Sequence, residues 1–409
     1  MSSEGWKIYK LAEVAEIVGG GTPSTTNSDY WGGDIPWLTP RDLSTNKERF
    51  VSQGERNITP LGLANSNVKL LPTGTVLLTT RAPIGYLAIA SNPICTNQGF
   101  KSLIPNNQMV DSLFLYYLLK NNVEYLKSVG VGTTFAEISG DALRKIEFGF
   151  PELPVQHQIA EILSVLDDKI ELNRQTNATL EAIAQAIFKE WFVDFNYPGA
   201  TGELVESELG MIPKGWRVGK LEEMFDFLEG PGIRNWQYTN EGIPFVNIRL
   251  IENNDINILK ANFVSTNEAL IKYPHFLLAE KDMIVSTSGT LGKTAIVRKS
   301  HLPLLLNTSV IRFKPTDGFS YPFMYQFLQS FRFLSELVSL ASGSVQLNFG
   351  PSHLKRINIV IPPREIVLEY CNQISEVYSI IDTNLEEIIS LASIRDSLLP
   401  KLMNGDMEI

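Results

Sequence analysis

The 409 residues are 44% hydrophobic and 20% charged, with two cysteines and a formal net charge of −10. This balance excludes an intrinsically disordered chain and predicts roughly two to four domains, each able to bury a core. Cys95 and Cys371 are too few and too far apart for a disulfide framework, no apolar stretch approaches the ~18 residues of a bilayer span, and no apolar run follows a basic segment near Met1, so a cytoplasmic protein without membrane contact is expected.

The acidity is unevenly placed. Residues 1–150 hold 13 Lys/Arg against 13 Asp/Glu, and residues 214–360 hold 16 against 12. Residues 151–213 hold 3 against 11, and residues 361–409 hold 3 against 9. Two short acidic segments therefore alternate with two large segments that are neutral or mildly basic. A nucleic acid meets the local field, so the global charge does not exclude one.

Residues 1–150 predict a β-rich domain. Gly19-Gly20-Gly21-Thr22-Pro23 and Gly32-Gly33-Asp34 are turn clusters. Residues 76–80 and 86–89 predict strands on either side of an Ala-Pro-Ile-Gly corner, and residues 113–126 a helix. Phe150-Pro151-Glu152-Leu153-Pro154 marks a boundary, after which residues 151–197 predict one long helix, with no Pro or Gly between Val155 and Tyr197. Its seam of Leu163, Leu166, Ile170, Asn173, Asn177, Leu180, Ala184, Ile187 and Trp191 steps by three and four residues, as a heptad does. Residues 198–213 predict a linker.

At residue 214 the plan begins again. Gly5-Trp6-Lys7-Ile8-Tyr9-Lys10-Leu11-Ala12-Glu13 returns as Gly215-Trp216-Arg217-Val218-Gly219-Lys220-Leu221-Glu222-Glu223, an offset of 210. Asn97 answers Asn307, Pro105 answers Pro315 and Leu180 answers Leu391. A repeat this long is a duplicated domain plus helix, not a solenoid, whose periods run roughly 20–50 residues. Residues 214–360 are thus the second domain. Residues 361–409 are the second helix, introduced by Ile361-Pro362-Pro363-Arg364-Glu365, with the seam Ile374, Val377, Ile381, Asn384, Ile388, Leu391, Arg395, Leu398 and Leu402.

The expected fold class is α+β: two mixed α/β, β-rich domains, each followed by a long helix, the helices pairing as an antiparallel coiled coil with pseudo-two-fold symmetry. That symmetry brings Asn173 and Asn384, both mid-seam, close together, where a buried amide fixes register at a cost in stability. A coil of about 39 residues would be roughly 58 Å long and would serve as a ruler between the domains.

Catalytic motifs are missing. Ser288-Gly289-Thr290-Leu291-Gly292-Lys293-Thr294 is close to a phosphate loop, but Thr287 stands where that loop needs its first Gly, so a tight corner between strands is the reading. No Asp/Asn-Pro-Pro-aromatic methyltransferase string, dinucleotide fingerprint, serine-hydrolase elbow, His-Glu-x-x-His or Cys-x-x-Cys occurs. His157, His275, His301 and His353 lack metal-ligand spacing. No catalysis, cofactor or metal is expected from this chain.

What remains suits recognition. Polar and basic side chains with aromatic neighbours fall in loop-like strings such as Trp37-Leu38-Thr39-Pro40-Arg41-Asp42, Asn97-Gln98-Gly99-Phe100-Lys101 and Phe245-Val246-Asn247-Ile248-Arg249. The candidate DNA contacts are Thr22, Arg41, Arg81, Gln98, Lys101, Thr133 and Thr134 in the first domain. In the second they are Arg234, Asn247, Arg249, Lys293, Asn307, Gln346 and Asn348. Arg pairs bidentately with guanine, and Asn or Gln with adenine. Lys and the other Arg side chains hold phosphates and set orientation.

Over essentially its whole length the chain resembles the specificity subunits of type I restriction–modification systems. The matching strings are Gly19-Gly20-Gly21-Thr22-Pro23 with Ile35-Pro36-Trp37, the Ser288–Lys293 corner, and Gly343-Ser344-Val345-Gln346-Leu347-Asn348. The helix start Pro151-Glu152-Leu153-Pro154-Val155-Gln156-His157-Gln158-Ile159 and the stretch Leu166-Asp167-Asp168-Lys169-Ile170-Glu171-Leu172-Asn173 match as well. The second copy departs at Gly230-Pro231-Gly232-Ile233, and the first at Gly132-Thr133-Thr134-Phe135, as two domains with different targets would. The resemblance implies that each domain reads half of a bipartite site in double-stranded DNA and that the coil sets the gap. It also implies that the helices dock two adenine-N6 methyltransferase subunits, which flip the target base and use S-adenosylmethionine. Restriction–translocation subunits would complete the nuclease. Two other readings stay open: a protein–protein scaffold without DNA, favoured by the neutral charge of residues 1–150, and a fusion of specificity with chemistry, disfavoured by the missing motifs.

Overall fold

The computed structural model describes residues 5–45, 48–81, 83–131, 136–252, 254–316, 319–341 and 349–407. The chain divides into two compact units, Met1–Gln175 with Thr383–Ile409, and Thr176–Asp382. Among the described residues no helix is long and apolar enough to cross a membrane.

In unit 1, Lys7–Lys10 pairs antiparallel with Glu147–Phe150, closing the domain's ends on each other. A five-stranded sheet follows the order Ala15–Gly19, Lys101–Pro105, Val76–Thr80, Ile84–Ala90, Phe50–Val51. A second sheet of Arg56–Ile58, Trp31–Leu38 and Cys95–Thr96 includes the parallel pair Trp37↔Cys95. Every residue of Val76–Thr80 is buried, which is why that strand reads as an apolar run rather than an alternation. The predicted helix over 113–126 is two helices, Ser112–Asn121 and Val123–Val129. Asn122 ends the first, its amide donating to the Leu118 carbonyl at 2.8 Å, and its backbone leaves the helical region.

Unit 2 repeats the plan. Arg217–Lys220 pairs with Asn358–Ile361. One four-stranded sheet runs Phe225–Glu229, Val310–Pro315, Met283–Ser286, Thr294–Ile296. The other runs Tyr238–Thr239, Asn262–Val264, Ile243–Val246, Leu305–Leu306, with the parallel pair Phe245↔Leu305 standing where unit 1 has Trp37↔Cys95. Between the two copies, residues 198–213 contain a hairpin, Leu204–Ser207 with Gly210–Pro213.

The first long helix, Leu153–Phe192, begins in unit 1 and ends in unit 2; the second, Arg364–Met403, begins in unit 2 and ends in unit 1. The second carries Pro400 in its last turn, where the ring has no N–H to give the Asp396 carbonyl. Gln156, fully buried, pins the start of the first helix. Its amide donates to the carbonyls of Met109 and Pro151, and its oxygen accepts from the Asp111 N–H.

Within each unit the helices run antiparallel. In unit 1 Arg395 reaches Asp167 at 2.6 Å while Asn173 donates to Glu387 at 2.8 Å. In unit 2 Asn177 donates to the Ile381 carbonyl at 3.3 Å, and the Tyr370 hydroxyl to that of Ala184 at 3.4 Å. The expected fold class is the one observed: two mixed α/β domains, each followed by a long helix, and the long helices packed antiparallel. Asn173 is 2% exposed and spends its amide on Glu387, three residues beyond Asn384, which is half-buried.

The seam itself is buried at Leu163, Ile170, Ala184, Trp191, Ile374, Ile381 and Leu402. Phe188, Tyr378 and Leu399, which lie beside it, are buried too. The apolar stripe is wider than a two-position heptad because each domain packs on a second flank of the helices.

Candidate nucleic-acid interface

The Gly-rich loop of unit 1 is clamped onto the 96–100 loop. Gly21 donates to the Thr96 carbonyl at 2.9 Å and Gly20 to that of Phe100 at 3.4 Å. A Cβ on Gly20 would lie 2.0 Å from the Asn97 carbonyl oxygen, so no other residue fits there. This approach sets Thr22 against Gln98, whose side-chain oxygen accepts from the Thr22 hydroxyl. Asn97 holds the loop from within, its side-chain oxygen accepting from the Gly99 N–H at 2.9 Å.

Gly99 packs on Pro40, the first residue of the short helix Pro40–Thr45, and so places the exposed Arg41 beside the same loop. Thr80 donates to the Gly99 carbonyl at 2.8 Å, which brings in the next residue, Arg81. Arg81 and Lys101 each stand 3.8 Å from the Glu137 carboxylate. Thr22, Arg41, Arg81, Gln98 and Lys101 thus share one rim. At 3.8 Å, and with Arg81 half-exposed, these ion pairs are long and loosely held.

Unit 2 builds the corresponding rim from other side chains. Gly230 takes the place of Gly20: a Cβ there would lie 2.6 Å from the Asn307 backbone. Asn307 is 8% exposed, and its side-chain oxygen accepts from the Thr308 N–H at 2.6 Å and the Thr308 hydroxyl at 3.1 Å. Its oxygen is therefore spent inside the loop, as that of Asn97 is. Asn247 likewise accepts from the Arg249 N–H at 3.0 Å, leaving the Arg249 side chain exposed.

The two asparagines follow adjacent parallel strands, Val246↔Leu306, and the Ser309 hydroxyl accepts from Ile248 across the gap between their loops. The 286–293 corner joins them, Thr287 donating to the Ser309 carbonyl at 3.1 Å. That corner is the tight turn expected, with Gly289 and Gly292 at positive φ and Ser286 bonded across it to Thr290. Lys293 leaves it exposed, 3.5 Å from the Ile251 carbonyl. Arg234 lies exposed on the loop that follows Gly230. Thr133, Thr134, Gln346 and Asn348 lie outside the described residues.

Three residues at these surfaces escaped the sequence reading. Glu137 belongs to no motif. Arg56 stacks on the Trp31 ring at 3.6 Å, a contact between residues 25 positions apart. Trp236, 78% exposed beside Arg234, had a visible signal in its neighbour. It sits on a fixed turn, since Gln237 is buried and bonded to Glu268 at 2.8 Å and Tyr273 at 3.0 Å.

The comparisons with known proteins agree with this duplicated arrangement. The family described as type I restriction modification DNA specificity domain matches residues 3–182 and again 213–391. The chain is 37% identical over 419 residues to the type I restriction enzyme MjaIX specificity subunit of Methanocaldococcus jannaschii, covering 99% of this chain and 94% of that one. It is 27% identical over 480 residues to the HindI specificity subunit of Haemophilus influenzae, covering 98% and 99%. The crystal structure of the type I restriction–modification S subunit from M. genitalium superposes with a TM-score of 0.60 at 18% identity, over 97% of this chain and 96% of that one, and so shares its fold. With two family domains filling most of its length and a full-length relative well above 30% identity, the chain belongs to the specificity subunits of type I restriction–modification systems, the non-catalytic members of those assemblies.

Proposed function

We propose that this subunit reads a two-part site in double-stranded DNA, one part with each domain, and holds two adenine-N6 methyltransferase subunits over it, in the cytoplasm. The observation that carries this reading is the pair of rims. One framework occurs twice, with Gly20 on Asn97 and Gly230 on Asn307, yet it presents Thr22, Gln98, Arg81 and Lys101 in one copy and Arg249 and Lys293 in the other. The same scaffold with different polar tips suits two different half-sites, because phosphate contacts position and base-edge contacts specify.

The helices supply the second half of the function. Ile162, Val165 and Leu172 of the first helix and Leu368 and Ile380 of the second are 38% to 59% exposed, apolar side chains that gain from a partner's cover. Methyltransferase subunits dock there, and the restriction–translocation subunits join the assembly they form. The coil between the domains sets the unread gap.

The test is to exchange residues 1–150 for the first domain of another family member and to map methyl-adenine in the DNA of cells that express the methyltransferase subunits. One half-site changes and the other half-site and the gap stay. If both half-sites change together, the domains are not independent readers. If methylation ignores sequence, the scaffold reading returns.

A further inference from the structure

Each unit ties its domain to both long helices through polar side chains whose arginines and tyrosines are largely withdrawn from solvent. In unit 1 the Arg49 side chain, 8% exposed, donates to the Tyr117 hydroxyl at 2.9 Å, the Ser164 carbonyl at 3.3 Å and the Asp168 carboxylate. Tyr117, fully buried, donates to Asp167 at 2.8 Å, and Asp167 also takes Arg395 at 2.6 Å. One connected set therefore joins the first domain (Arg49, Tyr117), the first helix (Asp167, Asp168) and the second helix (Arg395).

Unit 2 has its own version. Arg298, 14% exposed, reaches Asp382 of the second helix and stands 3.4 Å from Asp255 of its own domain. Tyr325 donates to Glu181 of the first helix at 3.2 Å, and Gln326 to the Tyr378 hydroxyl at 2.8 Å. Different residues again make a bridge from domain to both helices.

Stability alone does not ask for such bridges, because a buried ion pair is often no better than apolar side chains of equal volume. What they add is direction. Apolar faces slide and tilt at little cost, whereas the Arg49 guanidinium, held on three acceptors, admits one orientation. Arg298, bonded to Asp382 and facing Asp255, is confined between two carboxylates. We propose that Arg49 and Arg298 are positioning residues, each fixing the angle at which its recognition domain stands on the long helices and, through that angle, the gap at which the half-sites are read. This rests on the two-part reading above.

The test expresses full-length Arg49→Met, Arg49→Lys and Asp168→Asn with the methyltransferase subunits and maps methyl-adenine across the host DNA. In Arg49→Met both half-site words persist, while sites whose gap is one base pair off rise about tenfold relative to sites of the normal gap, the scale of one charge-assisted hydrogen bond. Lysine restores most of the discrimination. Asp168→Asn, altered at a carboxylate 66% exposed and so leaving the core untouched, shows the same broadening in weaker form. An unchanged gap with methylation lowered uniformly would mean that the clamp only adds stability, and overturns the proposal; so does a changed half-site word. A wild-type complex that yields no two-part motif takes down the underlying reading instead, and the clamp's role in gap selection with it.

Discussion

In unit 1 the two helices meet through a charge pair, Asp167 on the first and Arg395 on the second, 2.6 Å apart. The repeat maps these two positions, 211 residues away, onto Tyr378 and Ala184 in unit 2, where both side chains are buried. One copy places a charge pair at these positions, and the other places a ring, packed near Tyr321 and Tyr325, and a methyl group. Around the second, Phe188 lies 5.0 Å from Phe192, 5.6 Å from Phe323 and 5.9 Å from Tyr370, ring to ring. The duplicated fold thus needs these helix positions filled and its polar groups satisfied, and accepts either chemistry for the purpose.

That comparison can be broken most sharply at Asp167. Asp167→Ala strands Arg395 and the Tyr117 hydroxyl, and is expected to cost about 3 kcal/mol, read as a lowered midpoint in denaturant. Importing the unit 2 solution, Asp167→Tyr with Arg395→Ala, should recover most of that loss. A double variant as unstable as the single one would show that the two contacts are not interchangeable.

Acid should separate the units by a smaller margin. Burial alone would raise the Asp167 carboxyl, but Lys120, Arg395 and Tyr117 outweigh it and hold it below its ordinary value of 3.8. Its folded form thus resists protonation more than the unfolded chain does, and the stability it gives is present above that value and lost as pH falls through the lower folded one. In unit 2 burial raises Glu181 and Asp382 more than Tyr325 and Arg298 lower them. Those two take up protons more readily folded than unfolded, so their contribution to stability grows as pH falls through their raised values. Hydrogen exchange on a descending pH series is therefore expected to release residues 153–175 before residues 364–382. The reverse order would contradict the placing of the lowered carboxyl in unit 1 and the raised ones in unit 2.

Much of this was legible in the chain. The offset of 210, the Gly-rich loops and the heptad seams are patterns along the chain, and they led to the fold class and the antiparallel helices. Arg395 was visible only as an oddity in an apolar seam, because its partner lies 228 residues away. Phe188, Tyr378 and Leu399 went unread because their burial depends on a domain folding back onto a second helix flank. The break at Asn122 was missed since the apolar period runs through it, and the sequence carried no sign that the Asn307 side-chain oxygen closes its own loop. Side chains that answer to neighbours within a few residues could be read; those that answer across the fold could not.

The proposed function requires two independent readers on one spacer. Inserting one heptad after Gln175 and another after Asp382, where the compact units divide along each helix, leaves both rims and both clamps intact. Seven residues add about 10 Å to the coil, or roughly three base pairs at ~3.4 Å each. Mapping of methyl-adenine should then return the same two half-site words with a gap longer by about that number. Methylation should also be slower, because three base pairs turn one half-site by roughly 100° about the duplex. The original gap, retained with the lengthened coil, would show that the helices do not set it.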